Sequence, residues 1–327
     1  MNFTILLVHY KTWKMTAYSI SKLIQHAGKH DIEILVCDNS PDDGSMSEVA
    51  KVIKDSRVKV VQYPTDKLQS HGIGFDHLMP YVNTEWFITV ESDSFPTQDN
   101  WLDYYQDLIE KGFDCAGSLL KLSGGEYIHP AGAMYKTSDW VTAKEVVMRT
   151  TPHINYYPNL GVKDNFPCHI MTNEILTDFP NKHHSYNNVS FAEQLERYLP
   201  VAHSVFHNGI GGLQESLLTY HRRNIASGVI DMTTPTKFPI YRIGYEPGQW
   251  FCYHLAAENK SIFPIPTETV WLPNRVNQQQ EYTIMENGFT HLWGVSAYHG
   301  ATGEDLQDII QFKQNQMESL YNELPSM

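Results

Sequence analysis

The chain opens on a continuous apolar run, Phe3–Val8, and then carries helical apolar spacing through residues 13–27 at Met15, Tyr18, Ile20, Leu23 and Ile24. A second apolar run, Ile32–Cys37, follows. Runs without polar alternation suit strands covered on both faces, and two of them joined by a helix make a β-α-β unit with parallel strands. Val58–Gln62 reads as a third strand and Ile73–Tyr81 as a helix leading into a fourth, Trp86–Val90. All four strands discharge toward one edge, and open α/β sheets bind ligands outside the carboxyl ends of their strands.

That edge is acidic. The fourth run ends abruptly in Glu91-Ser92-Asp93, two carboxylates one residue apart, a spacing that on a strand aims both to one side. Hard oxygen ligands at a strand end suit Mg²⁺ or Mn²⁺ carrying a diphosphate. The alternative is a strand followed by an ordinary polar turn with solvated acids. The second strand runs into Asp38-Asn39-Ser40-Pro41-Asp42-Asp43-Gly44-Ser45, a turn-rich segment that leaves Asp38 at the same edge, where a carboxylate can accept hydrogen bonds from a base or ribose.

Four segments in this order resemble the family 2 glycosyltransferases, nucleotide-sugar enzymes of the GT-A fold. Ile5-Leu6-Leu7-Val8-His9-Tyr10-Lys11 is similar to the family's opening strand and turn, and Val36-Cys37-Asp38-Asn39-Ser40 with Asp43-Gly44-Ser45 to its Val-Asp-Asn-x-Ser-x-Asp-Gly-Ser element. His71-Gly72-Ile73-Gly74-Phe75-Asp76, followed by Thr84-Glu85-Trp86, resembles a subgroup with His-Gly-x-x-Leu-Asp before the acidic strand. Glu91-Ser92-Asp93 stands where the Asp-x-Asp motif falls, and the ordered set spans residues 3–105. The resemblance implies an α/β mixed sheet of the Rossmann-like GT-A type, flanked by helices. It implies a nucleotide-sugar site at His9, Tyr10, Asp38, His71, Gly72, Glu91, Ser92 and Asp93, with Tyr10 against the base and Asp93 on a Mn²⁺ or Mg²⁺ ion. Two departures stand out. Glu91 replaces the usual first Asp, and Phe75 occupies the place of an arginine that in many relatives answers the diphosphate. That charge then falls to the metal alone or to Lys67, Lys11, Arg222 or Arg223.

A length of 327 residues with 42 % hydrophobic content can bury a full α/β core and leave a carboxyl-terminal addition. The expected division is a catalytic domain over 1–215 and an extension over 216–327 that completes the active site or acceptor region. The net charge of −13 argues against nucleic acid as a partner, because phosphate-backbone binding draws on Lys and Arg. Cys37, Cys115, Cys168 and Cys252 show no Cys-x-x-Cys spacing, and no apolar run approaches the ~20 residues that span a bilayer. With no basic-apolar leader before residue 3, these features point to a cytoplasmic protein with no membrane span.

Further along, residues 100–111 read as a helix and 114–122 as a strand. Tyr127-Ile128-His129-Pro130-Ala131-Gly132-Ala133-Met134-Tyr135 is similar to the family's stretch under the sugar and acceptor. Gly132 there would permit close backbone approach to a ligand, and His129 reads as orienting or structural. Residues 150–188 read as loops, and the family's general base, a carboxylate that deprotonates the attacking hydroxyl, is assigned to Glu174 rather than Asp178. Two histidines compete as a late metal ligand: His207, before Asn208-Gly209, and His299, which ends the run Trp293–Ala297 and precedes Gly300. His299 is preferred, because a histidine ending an apolar run is presented at a sheet edge. The aromatics Tyr241, Tyr245, Trp250, Phe251 and Tyr253 suit either sugar stacking or a core. A last amphipathic helix over 303–322 packs on the catalytic domain or forms a homodimer contact.

The reading is a metal-dependent glycosyltransferase moving a sugar from a nucleotide-diphosphate donor, a UDP-sugar first, to an acceptor hydroxyl with inversion. The alternative is a catalytically impaired sugar-binding or assembly module of the same fold.

Overall fold

The computed structural model of the protein describes residues 1–64, 71–122, 125–150, 174–178, 240–244, 248–271, 280–292 and 304–324. Strand β1 (Asn2–His9) lies at the centre of the main sheet, parallel to β2 (Asp31–Asp38) on one side, with β3 (Val58–Gln62) beyond it. On its other side runs β4 (Trp86–Glu91), also parallel. A three-residue strand, β5 (Ser94–Pro96), follows the acidic turn. The sheet then continues through β6 (Cys115–Leu122), β7 (Gly125–Ile128) and β8 (Ala133–Lys136), with β8 antiparallel between β4 and β6.

The helices of the first half are α1 (Trp13–Gln25), α2 (Ser45–Val52), α3 (His71–Leu78), α4 (Trp101–Glu110) and α5 (Thr137–Thr150). Strands β9 (Glu174–Asp178) and β10 (Ile240–Gly244) form an antiparallel pair. The stretch 150–188, expected as loops, therefore contains at least one strand. The carboxyl-terminal part adds helix α6 (Gln249–Ala257), strands β11 (Ile262–Ile265), β12 (Thr267–Trp271), β13 (Gln280–Met285) and β14 (Phe289–His291), and helix α7 (Glu304–Asn322).

Among the described residues the main sheet has the order β11-β6-β8-β4-β1-β2-β3, with β7 on β6. A second sheet, β12-β13-β14-β5, borrows its last strand from the segment just after β4. The boundary expected at 215/216 lies outside the described residues, but residues 248–324 do not stand apart. β11 extends the main sheet alongside β6, and β14 pairs with β5.

Strand alternation sorts the core into two layers. Leu6, Val8, Leu35, Cys37 and Phe87 face α3, α5 and α6, where Phe75, Leu78, Trp140 and Phe251 meet them. Ile5, Leu7, Ile34, Val36, Ile88 and Val90 face α1, α2 and α4, against Ala17, Ile20, Leu23, Trp101, Leu102 and Tyr105. Of the aromatic cluster around residue 250, Phe251 is a core residue, its ring 5.2 Å from Tyr135. The side chains of Tyr241, Tyr245, Trp250 and Tyr253 lie outside the description. Phe75 is buried under β1 and β2, so the position that carries an arginine in many relatives serves packing here.

Alternation also decides which groups share the carboxyl edge. Val8 pairs with Glu91 and His9 with Asp38, so the strand ends are level. Glu91 follows Phe87 and Thr89 on the α3 face, whereas His9 and Asp38 point to the α1 and α2 face. Helix α3 comes unusually close to β1. A Cβ on Gly74 would fall 2.7 Å from a methyl of Val8, and this close approach brings the first turn of α3, with His71, up to Glu91. Gly74→Ala is expected to destabilise the fold by about 1–3 kcal/mol through overpacking against a stiff β-branched side chain. Urea unfolding checks this, and an unchanged midpoint would show that α3 can move away at no cost.

Candidate active site

Glu91 is encircled by histidines. Its Oε2 lies 3.2 Å from Nε2 of His291, and its Oε1 lies 3.7 Å from Nδ1 of His71 and 3.9 Å from Nε2 of His129. Asp93, in the turn after β4, places Oδ1 3.4 Å from the same His291 nitrogen. The two carboxylates thus meet across one imidazole nitrogen. Burial alone would raise the Glu91 carboxyl, but the imidazoles of His129, His291 and His71 more than reverse this and hold it well below the usual range. Burial would lower His291; the Asp93 and Glu91 carboxylates overrule it and push the ring up to about 9. His71 is likewise raised, the Glu91 and Asp93 carboxylates outweighing its burial.

His129 differs from its neighbours. Its ring stacks on His291 with centroids 5.2 Å apart, and burial lowers it to about 4 despite the charge on Glu91. One ligand atom from each of Glu91, His129 and His291 lies within 4.8 Å of the others, a spacing compatible with a metal ion. The tautomer assigns His129 another part. The Ala131 N–H donates to its Nδ1 at 3.2 Å, so the proton of the neutral ring sits on Nε2, the atom facing Glu91. His129 therefore turns a protonated Nε2 toward Glu91, 3.9 Å away, rather than a lone pair toward an ion. Asp93 meets the same His291 nitrogen as Glu91, and these two carboxylates and one imidazole are a mixed oxygen and nitrogen set whose chemistry suits a divalent cation such as Mn²⁺.

Among the described residues, the late histidine beside the acids is His291, a residue not singled out from the sequence. His299 and His207 lie outside the described residues, as do Lys67, Arg222 and Arg223. A local signal for His291 was present. Met285-Glu286-Asn287-Gly288-Phe289 is a hairpin sequence, and Gly288 adopts φ +78°, the left-handed conformation such a loop requires. The return strand β14 lies beside β5 with His291 opposite Ser94, and the Leu292 N–H donates to the Asp93 carbonyl at 3.0 Å. Gly132 has φ +78°, and a Cβ there would lie 2.5 Å from the Phe289 ring. The close approach expected at Gly132 is therefore made to β14 rather than to a ligand.

The loops after β1 and β2 enclose a cavity of about 270 Å³, lined by Tyr10, Lys11, Asn39, Ser40, Pro41, Asp42 and Asp43. Tyr10 lines it, with the Lys11 ammonium 5.1 Å from its ring centre. Lys11 adopts φ +58° and donates its N–H to Ser40 Oγ at 3.1 Å, joining the two loops that form the cavity walls. Asp38 stands behind the wall. It is 3 % exposed and accepts the Ser40 N–H at 3.1 Å. Burial raises its carboxyl, as do the charges of Asp43 and Asp42, against the lowering effect of the Ser40 hydrogen bond.

Three other expected site residues act internally. Ser92 Oγ lies 3.3 Å from Thr12 Oγ1, tying the acidic turn to the loop after β1. Gly72 is buried in the first turn of α3. His9 is fully buried, with Nδ1 2.8 Å from Thr16 Oγ1 and Nε2 2.7 Å from Ser45 Oγ, so neither nitrogen is presented to the cavity. The backbone of Glu174 lies in β9 opposite Gly244, and its side chain is outside the description.

Burial lowers His9 to about 4, against the raising effect of Asp43. The unfolded chain takes up this proton near pH 6.5 and the folded chain resists until about 4, so the stability this group contributes is present above pH 6.5 and lost as pH falls toward 4. At about 1.4 kcal/mol per pH unit, wild type is expected to lose about 2 kcal/mol more than His9→Gln between pH 7 and pH 5. Urea titrations of both proteins at the two pH values check this. Parallel losses would show that His9 does not resist protonation in the fold.

Comparison with known proteins shows that residues 4–161 match the model of Glycosyl transferase family 2. No curated protein gives a significant match. Among solved structures, TarS 1-349 of S. aureus in complex with UDP-GlcNAc aligns at 16 % identity over 43 % of this chain and 47 % of its own, with a TM-score of 0.36. The mannosyltransferase PcManGT of Pyrobaculum calidifontis, in complex with GDP-Man and Mn²⁺, aligns at 12 % identity over 45 % of this chain and 52 % of its own, with a TM-score of 0.35. The chain thus spans about half the length of these structures. Among the described residues, no helix is long and apolar enough to cross a membrane.

Proposed function

We propose that this chain, whose residues 4–161 belong to glycosyl transferase family 2, moves a sugar from a UDP-sugar to an acceptor hydroxyl with inversion, assisted by a divalent cation at Glu91, Asp93 and His291. One observation carries the reading. The two carboxylates converge on His291 Nε2 at 3.2 and 3.4 Å, at the strand edge that also holds the Tyr10 cavity.

When bound, a divalent ion supplies positive charge to the leaving diphosphate. Glu91, Asp93 and His291 hold that charge in place, with the His129 N–H directed at Glu91. Tyr10 packs against the base, and Asp38 acts at one remove by fixing the turn that forms the cavity wall. With Phe75 in the core, Lys11 is, among the described residues that line the cavity, the cation available to the phosphates. Glu174 is the proposed base. It takes the proton of the acceptor hydroxyl as that oxygen attacks the anomeric carbon opposite the departing UDP, so configuration inverts.

Calorimetry with UDP and Mn²⁺ tests the site. Wild type is expected to bind UDP with Mn²⁺ and to lose at least tenfold in affinity in EDTA. Asp93→Asn and His291→Ala should each weaken Mn²⁺-dependent binding, whereas Glu91→Asp, which keeps the charge, should retain part of it. Equal UDP affinity with Mn²⁺ and with EDTA would exclude the metal-held diphosphate.

A second measurement tests the base. Glu174→Gln is expected to lower sugar transfer about 10²–10⁴-fold while leaving UDP affinity unchanged. Full turnover in this variant would move the base elsewhere. Donor binding by wild type without turnover on any acceptor or water would favour a sugar-binding module.

A further inference from the structure

Helix α7 buries a lysine. Lys313 is 2 % exposed, and its Nζ donates to the carbonyl oxygen of Leu292, the residue after His291. The N–H of the same Leu292 donates to the Asp93 carbonyl at 3.0 Å. Leu292 is thus held at both ends of its backbone: α7 grips its carbonyl while its amide grips the acidic turn. His291 leaves the chain one residue earlier and meets Glu91 and Asp93 through Nε2.

An interior ammonium is costly, and an unbranched apolar side chain of similar length fills such a space without that cost. Docking of α7 does not require it. The helix is fixed on α1 through Met317 and Leu320, which pack with Met15, Tyr18 and Leu292, through the edge-on contact of Trp13 and Tyr321 at 5.1 Å, and through the Lys14–Glu318 ion pair. The Lys313 ammonium is directed at a backbone carbonyl next to the site.

We propose that Lys313 is a positioning residue for the metal-binding turn: it draws the Leu292 carbonyl toward α7 and so fixes the backbone from which His291 reaches the two carboxylates. The inference rests on the reading of Glu91, Asp93 and His291 as donors to a divalent ion. Groups that orient metal ligands from behind typically change metal affinity by about 10–100-fold when removed.

The test needs neither a donor nor catalysis. Mn²⁺ binding to the full chain is followed by the electron paramagnetic resonance signal of the free ion, and melting temperature is measured separately without metal. Lys313→Met is expected to weaken Mn²⁺ binding by about 10–100-fold while the metal-free melting temperature stays level or rises. Lys313→Arg should recover most of the affinity. Glu318→Gln, which loosens the same helix from α1 without touching Leu292, should bind Mn²⁺ like wild type. Wild-type affinity in Lys313→Met overturns the proposal, and so does an equal loss in Lys313→Met and Glu318→Gln, which would reduce it to helix docking. If wild type and Asp93→Asn both fail to bind Mn²⁺, the metal reading falls and this inference with it. If Asp93→Asn alone loses binding while Lys313→Met keeps it, only the role of Lys313 is rejected.

Discussion

Two carboxylates set close together with little exposure repel each other, so a fold that keeps Glu91 and Asp93 both ionised must supply positive charge between them. Here that charge comes from His291, almost 200 residues later in the chain. The requirement bears on residues 280–324 among those described. A hairpin must return β14 alongside β5, and Gly288 makes its turn possible. Helix α7 must then lie close enough for Lys313 to hold the residue after His291. Residues 289–292, far along the linear sequence, thus lie at the acidic edge.

The same position also suits a metal. A protonated imidazole and a divalent cation answer the same pair of negative charges, and His291 can do either: as an imidazolium it bridges the acids, and as a neutral ring it becomes a ligand beside them. His129 cannot make this exchange while Ala131 donates to its Nδ1. Close packing of four titratable side chains therefore does not make them equivalent. Their backbone neighbours decide which nitrogen carries the proton, and hence which group is a ligand and which a hydrogen-bond donor.

The nucleotide side shows a comparable division. His9 and Asp38 sit level with Glu91 at the strand ends but on the opposite face, because one residue of offset reverses a side chain in a strand. His9 is consumed by Thr16 and Ser45, and Asp38 by the turn at Ser40. Both shape the cavity from behind, leaving its surface to Tyr10, Lys11 and residues 39–43.

Local sequence determined the parallel β-α-β framework, the level ends of β1, β2 and β4, and the acidic pair at their edge. Those features follow from unbroken apolar runs and from where each run stops, which is information carried by neighbouring residues. It did not identify His291, since an imidazole acquires its role from the groups across from it, and the pairing of β14 with β5 joins residues 289–291 to 94–96. Nor did it distinguish the cavity wall from its support at Asp38 and His9, because strand face and hydrogen-bond partners are settled only when α1 and α2 dock. In the linear sequence Lys313 is one more polar residue of the last helix. Only the packed structure made it an interior cation, by placing α7 over a carbonyl next to the site.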